Sequence, residues 1–223
     1  MRYEHIVFDL DGTLIDSRAD LAQAINHVRR ALGLLELSLG VVTGYIGEGA
    51  RILVKRSLGP AHADRLEEGL TLFMQYYGVH LLEHTQLYPG IAKMLSALAQ
   101  HGAGLSVLSN KPEAMSRTIL DGLGILSLFA VVLGGDSFPA RKPDPAGLTY
   151  LRTLIGTAPE RLLVVGDSRI DLDTARAGGI DFCGVAWGFG LAGLRATGAE
   201  RTIEEPAQLL ALVEGHKTDR SRL

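Results

Sequence analysis

Several broad protein classes are excluded by what this chain lacks. A single cysteine, Cys183, can form no intramolecular disulfide, so nothing points to a disulfide-stapled secreted fold. It lies in Phe182-Cys183-Gly184-Val185 and reads as a small buried hydrophobe rather than a nucleophile. Basic residues are not in excess: the formal net charge is −3, where a nucleic-acid binder carries a marked positive balance. The one basic cluster, Lys217 to Arg222, reads as a solvated tail. No apolar run approaches the roughly 18 residues of a membrane helix, and no cationic segment followed by an apolar one opens the chain. No membrane partner and no signal peptide are therefore expected, and a cytoplasmic location follows by default. Aromatic residues make up only 6%, and the seven histidines show no metal-ligand spacing.

What is present suits a folded enzyme. The chain has 223 residues, 47% hydrophobic and 21% charged, enough for one core with a small satellite domain. The 27 glycines suggest tight turns and close backbone approaches. Residues 4–9 end in an apolar run and read as a buried strand. A loop through Gly12 follows. Ser17-Arg18-Ala19-Asp20 has the form of a capping box, and Leu21, Ile25, Val28 and Leu32 recur at helical spacing up to Gly33. Residues 34 to about 82 carry helical patterns and the glycine-rich stretch Gly44 to Gly49, without a clear strand. Helices over 91–99, 112–123, 145–155 and 171–177 then alternate with strands over 105–108, 131–133, 162–165 and 180–186. This alternation predicts an α/β fold with a doubly wound parallel sheet. The helical piece is predicted as an insertion, a cap of residues 16–84 over a core made of residues 1–15 plus 85–223.

In such sheets ligands gather at the carboxyl ends of the strands. There the sequence turns polar every time: Asp9-Leu10-Asp11-Gly12-Thr13, Ser109-Asn110-Lys111, Arg141-Lys142-Pro143-Asp144-Pro145, and Gly166-Asp167-Ser168-Arg169-Ile170-Asp171. Asp9, Asp11, Asp167 and Asp171 in one pocket would repel unless they shared a cation, and hard oxygen ligands suit Mg²⁺. Lys142 adds a second positive centre, Ser109 and Asn110 add uncharged donors, and Gly12 would let N–H groups turn inward as an anion nest. Together these describe a receptor for phosphate. A carboxylate can attack phosphorus, and no Ser-His-Asp or Cys-His pairing competes for that role.

These four segments, in this order, resemble the motifs of the haloacid dehalogenase superfamily, and the likeness spans nearly the whole chain. Gly44-Tyr45-Ile46-Gly47-Glu48-Gly49-Ala50, Gln75-Tyr76-Tyr77 and Leu133-Gly134-Gly135-Asp136 further resemble its phosphoglycolate phosphatase group. The resemblance implies Asp9 as nucleophile and Mg²⁺ ligand. It implies Asp11 as the proton-handling residue and a Mg²⁺ ligand through its carbonyl, and Asp167 as a Mg²⁺ ligand with Asp171 supporting. Gly12, Ser109, Asn110 and Lys142 would bind the phosphate. The implied activity is hydrolysis of a small phosphorylated metabolite, first choice 2-phosphoglycolate, through an aspartyl-phosphate, by a monomer or homodimer. An aspartate at position 11 marks the phosphatase and mutase branch.

Each segment also has a plainer reading. Asp-x-Asp-Gly could open an EF-hand loop, but Asp20 occupies its twelfth position and Leu14 and Ile15 intervene. Gly44 to Gly49 is no phosphate loop, since no Gly-Lys-Ser/Thr follows. It is either a turn between helices or a cap loop that touches substrate, with Glu48 and Arg51, or Lys55, as contacts. Trp187 and Phe189 follow the last strand tip and are expected to pack there, with lining of the pocket rim as the alternative. The rival activities are a phosphomutase similar to β-phosphoglucomutase, a pyrophosphatase or nucleotidase, and a non-catalytic phosphate-binding protein.

Overall fold

The structure is a computed structural model and describes residues 2–196 and 201–215. The basic cluster Lys217 to Arg222 lies outside the described residues. The chain runs β1 (His5–Phe8), β2 (Ile15–Asp16), α1 (Arg18–Ala31), α2 (Leu39–Thr43), α3 (Ala50–Leu58), α4 (Leu66–Tyr77) and β3 (Gln86–Leu87). It continues as α5 (Ile91–Gln100), β4 (Gly104–Leu108), α6 (Glu113–Gly122), β5 (Val131–Leu133), α7 (Ala146–Ile155), β6 (Leu162–Gly166) and α8 (Arg169–Ala177). It ends with β7 (Asp181–Val185), α9 (Leu191–Ala196), β8 (Thr202–Ile203) and α10 (Ala207–Glu214). Among the described residues no helix is long and apolar enough to cross a membrane.

Six strands form one parallel sheet in the order β5-β4-β1-β6-β7-β8. Successive side chains on a strand point to opposite faces, and the core divides accordingly. Ile6, Phe8, Leu105, Val107, Leu163 and Val165 face one side, against Ile91, Leu95 and Leu98 of α5 and Leu209 and Val213 of α10. Val7, Leu108, Leu162 and Val164 face the other, against Leu148 and Leu151 of α7. Both faces are covered, so the strands read as unbroken apolar runs rather than alternating ones. Each fully buried Leu or Ile contributes roughly 1.5–3 kcal/mol. The doubly wound parallel sheet expected from the sequence is borne out. β8 was not foreseen, because two residues carry no readable period.

β1 is central, and the chain first builds outward to β4 and β5, then crosses to β6 on the other side. The tips of β1, β4 and β6 therefore stand side by side at a point where the winding reverses, where a crevice opens.

Between β2 and β3 lie α1 to α4. These two strands pair antiparallel, Ile15 with Leu87 and Asp16 with Gln86, so the chain leaves and returns at one place. Leu21, Ile25 and Val28 of α1, Leu53 and Val54 of α3, and Phe73 and Tyr77 of α4 are buried together. The expected capping box at Ser17 does not form. Ser17 Oγ donates instead to Asp11. The Asp20 carboxylate accepts from His84 N–H, Thr85 N–H and Thr85 Oγ1 at 3.0, 2.9 and 2.7 Å. Three donors preceding β3 outcompete one local N–H for a buried carboxylate.

Candidate active site

The polar tips converge on one cavity of about 150 Å³. Asp9, Asp11, Ser109, Asn110, Lys111, Lys142, Asp167 and Asp171 all line it. Asp9 directly follows β1, its N–H held by Val165 C=O of β6 at 2.9 Å, which fixes the backbone behind the carboxylate. Lys142 reaches in from the segment before α7. Its Nζ donates to Asp9 Oδ1 at 2.7 Å and to Asp171 Oδ1 at 2.6 Å. Asp171 Oδ2 accepts from Ser168 N–H and Oγ, closing a true capping box at the start of α8. Asp171 thus anchors the lysine and the helix start together.

Asp167 follows β6 and is clamped from behind. Its Oδ2 accepts the N–H groups of Phe189 and Gly190 at 2.6 and 3.0 Å. The space around it exists because three neighbours lack side chains. A Cβ on Gly12, which sits at φ +89°, would lie 2.4 Å from Asp167 Oδ2, and one on Gly188 would lie 2.2 Å from Asp167 Cβ. At Gly190 a Cβ would lie 2.8 Å from the Asp167 carbonyl oxygen.

Burial pushes the Asp9 carboxyl above the ordinary carboxylate range, against the pull of Lys142. Burial does the same to Asp167, reinforced by the charges of Asp171 and Asp9. Lys142 is drawn down by burial, but Asp171 and Asp9 outweigh this and hold its ammonium above the usual lysine value. The crowded carboxylates are short of positive charge even with the lysine present. Carboxylate oxygens of Asp9, Asp167 and Asp171 lie within 4.8 Å of one another. Asp171 has both oxygens engaged by donors, whereas Asp9 Oδ2 and Asp167 Oδ1 accept no hydrogen bond among the described residues. Two free carboxylate oxygens form a hard, anionic donor set. Such a set fits Mg²⁺ with its retained waters.

Two phosphate-binding expectations change. The N–H of Gly12 is spent on Ile15 C=O at 2.9 Å, and those of Thr13, Leu14 and Ile15 all turn to Leu10 C=O. Gly12 makes room for Asp167 rather than an anion nest. Among the described residues it is the N–H groups of Leu10 and Asp11 that find no acceptor. The Asn110 amide is also committed, donating to Gly47 C=O and Lys142 C=O, both at 3.0 Å. Its side chain lines the cavity, but both amide hydrogens tie the Gly47 and Lys142 carbonyls together and leave none to offer a phosphoryl oxygen. Ser109 is buried, and its Oγ accepts Lys111 N–H at 3.2 Å while its own proton has no acceptor among the described residues.

The helical-segment candidates are not brought to the site. Arg51 pairs with Glu67 and Glu48 with Arg56, on the exposed surface. Neither they nor Lys55 line the cavity, whose roof is Thr43, Gly44, Ile46, Gly47, Gly49 and Ala50. A helix turn alone turns these charges to water, where carboxylate partners await them. Phe189, expected to pack, lines the cavity, with the Arg18 guanidinium 5.4 Å from its ring centre. Trp187 does pack, donating to Thr13 C=O at 3.0 Å.

Sequence reasoning missed Lys111 and Tyr77 as site residues. Lys111 is buried, with Nζ 2.8 Å from Asp11 Oδ1 and 2.6 Å from Tyr77 Oη. The signal lay in plain view: a lysine directly after a strand tip, and Tyr77 four residues beyond Phe73 on one helix face. Burial pushes the Tyr77 hydroxyl up to about 12, so it stays neutral.

Comparison with known proteins agrees with this geometry. A family model described as haloacid dehalogenase-like hydrolase matches residues 6–185, and the chain belongs to that family. A phosphoglycolate phosphatase of Pseudomonas putida is 40% identical over 190 residues, 82% of this chain and 70% of the relative. One of Chromobacterium violaceum is 36% identical over 222 residues, covering 96% and 99% of the two chains. A crystal structure of a predicted phosphoglycolate phosphatase from Haemophilus somnus superposes with a TM-score of 0.90 at 33% identity, covering 95% and 98%. The membership of the haloacid dehalogenase superfamily expected from the sequence is borne out, and the chain is a phosphatase of the phosphoglycolate phosphatase-like group.

Proposed function

We propose that this phosphatase hydrolyses the monoester of a small carboxylated alcohol, 2-phosphoglycolate first, with Asp9 as nucleophile. The carrying observation is that Asp9, Lys142, Asp167 and Asp11 meet in one buried cavity. In the first step an Asp9 oxygen attacks phosphorus and the ester P–O bond breaks. Its electron pair stays on the leaving oxygen, which takes the Asp11 proton. In the second step Asp11 accepts a proton from water as that water attacks the phospho-aspartate, freeing inorganic phosphate and restoring Asp9. Lys142 holds Asp9 in line and offsets negative charge on the phosphoryl group. Ser109 Oγ and the N–H groups of Leu10 and Asp11 are the open donors for phosphoryl oxygens. Asp9, Asp167 and the Asp11 carbonyl would hold Mg²⁺, which when bound supplies Lewis-acid stabilisation of phosphoryl charge.

Cavity size supports a small substrate: about 150 Å³ is little beside the roughly 300–1,000 Å³ of sites for drug-sized ligands. Ile46, Leu53, Phe73 and Met115 close its apolar side. Among the described residues Lys111 and Lys142 are the only lysines or arginines in the lining, and both already pair with aspartates. A substrate carboxylate therefore meets the uncapped start of α3, where Gly49 offers no side chain and the helix N-terminus favours an anion. In this reading residues 16–84 act as a cap over a core of residues 1–15 and 85–223, and excluding water is the cap's task. Turnover of a panel of phosphorylated metabolites with Mg²⁺ is expected to rank 2-phosphoglycolate first. Asp9→Asn is expected to abolish turnover with an unchanged circular dichroism spectrum. Phosphate release by that purified variant would refute the nucleophile, and a bulky sugar phosphate ranking first would refute the substrate.

A further inference from the structure

Asp11 is held unevenly. Lys111 Nζ and Ser17 Oγ both donate to its Oδ1, at 2.8 and 2.5 Å, while Oδ2 has no donor among the described residues. Lys111 itself follows the β4 tip and is only 6% exposed. A buried ammonium needs acceptors, and the second one here is Tyr77 Oη at 2.6 Å. Tyr77 is the last residue of α4, so it comes from the helical segment rather than from the sheet. Two parts of the chain, one just after the β4 tip and one just before α1, thus converge on a single carboxylate oxygen, and a third, on α4, holds the lysine that does so.

We propose that Lys111 and Ser17, with Tyr77 holding Lys111 in place, are positioning residues for Asp11: by saturating Oδ1 the two donors leave Oδ2 as the oxygen that delivers the proton to the leaving group, and α4 must be seated for the clamp to be complete. This rests on the phosphatase reading and on Asp11 as its acid. The clamp ties proton delivery to the placement of the helical segment. A carboxylate free to rotate would spend part of its time with its proton directed away from the ester oxygen, and general-acid assistance depends on that direction.

The leaving group separates this from a merely structural role. An alkyl monoester must be protonated as it leaves, whereas acetyl phosphate, of similar size, expels acetate without a proton. The value of kcat/KM reports the transfer step for each. We expect wild type to turn over both the best alkyl monoester of its panel and acetyl phosphate. Tyr77→Phe is expected to lose about tenfold or more in kcat/KM on the alkyl ester and less than about threefold on acetyl phosphate. Ser17→Ala is expected to show the same imbalance, and Asp11→Asn sets its upper bound. Equal losses on both substrates, or no loss on the alkyl ester, would overturn the clamp. Should Lys111→Met fail to fold, the Tyr77 and Ser17 variants still decide. Wild-type failure on both substrates would instead overturn the phosphatase reading, an outcome distinct from failure of the clamp.

Discussion

Asp20 offers a quantitative test of how the helical segment is fastened. Its side chain is 1% exposed and accepts the N–H and hydroxyl of Thr85 and the N–H of His84. Asp20→Ala strands the two Thr85 donors in a buried place, while His84, at the surface, can turn to water. Leaving a buried donor unmet costs about 1–3 kcal/mol, so the loss should be about 3 kcal/mol in total. For a chain of this length that is a fall of about 6–12 °C in melting temperature. Thr85→Val keeps the shape and removes only the hydroxyl, for about 1–1.5 kcal/mol. Since both changes destroy the same bond, the double variant should lose less than the sum, by about 1–2 kcal/mol. Urea unfolding followed by circular dichroism measures this, with the midpoint moving and the slope unchanged. Additivity within about 0.5 kcal/mol would show that Asp20 does not hold Thr85, and the account of this junction would fail.

Two further outcomes follow from the same structure. Burial pushes the His5 imidazole down to about 4, beside Ser106 Oγ at 2.7 Å. The folded chain keeps it neutral while the unfolded chain takes a proton near 6.5. The folded state therefore binds fewer protons, and stability is full above about 6.5 and falls by up to roughly 3 kcal/mol as pH drops toward 4. The difference in unfolding free energy between wild type and His5→Leu should track that window, and a pH-independent difference would contradict it. Arg51→Ala and Glu48→Ala should each leave kcat/KM within about twofold of wild type, because their charges pair at the surface away from the cavity. A tenfold rise in KM for either would return it to the site.

The sheet and the Asp9–Lys142–Asp167 cluster were legible because a parallel sheet writes itself twice in a sequence. Buried strands show as apolar runs such as Leu162 to Val165, and their tips turn abruptly polar. Contacts between distant segments leave no such mark. Ser17 to Asp20 has a capping-box spacing, yet donors 64 and 65 residues away claim Asp20. Asn110 looked like a free amide until two backbone carbonyls took both its hydrogens. The clamp on Asp11 joins positions 17, 77 and 111, and no local period could have suggested it. Gly12 was noticed for the right conformational reason and given the wrong task, since what it accommodates lies 155 positions further on.

The pairing of Ile15 with Leu87 and Asp16 with Gln86 has a consequence for how such a chain can diversify. Entry and exit of the helical segment stand at one doorway, about 5 Å apart across a strand pair. A different helical module with matching ends could be spliced there without rethreading the sheet or disturbing the β1, β4 and β6 tips. Selectivity could then be exchanged wholesale while the reactive chemistry beneath stays in place.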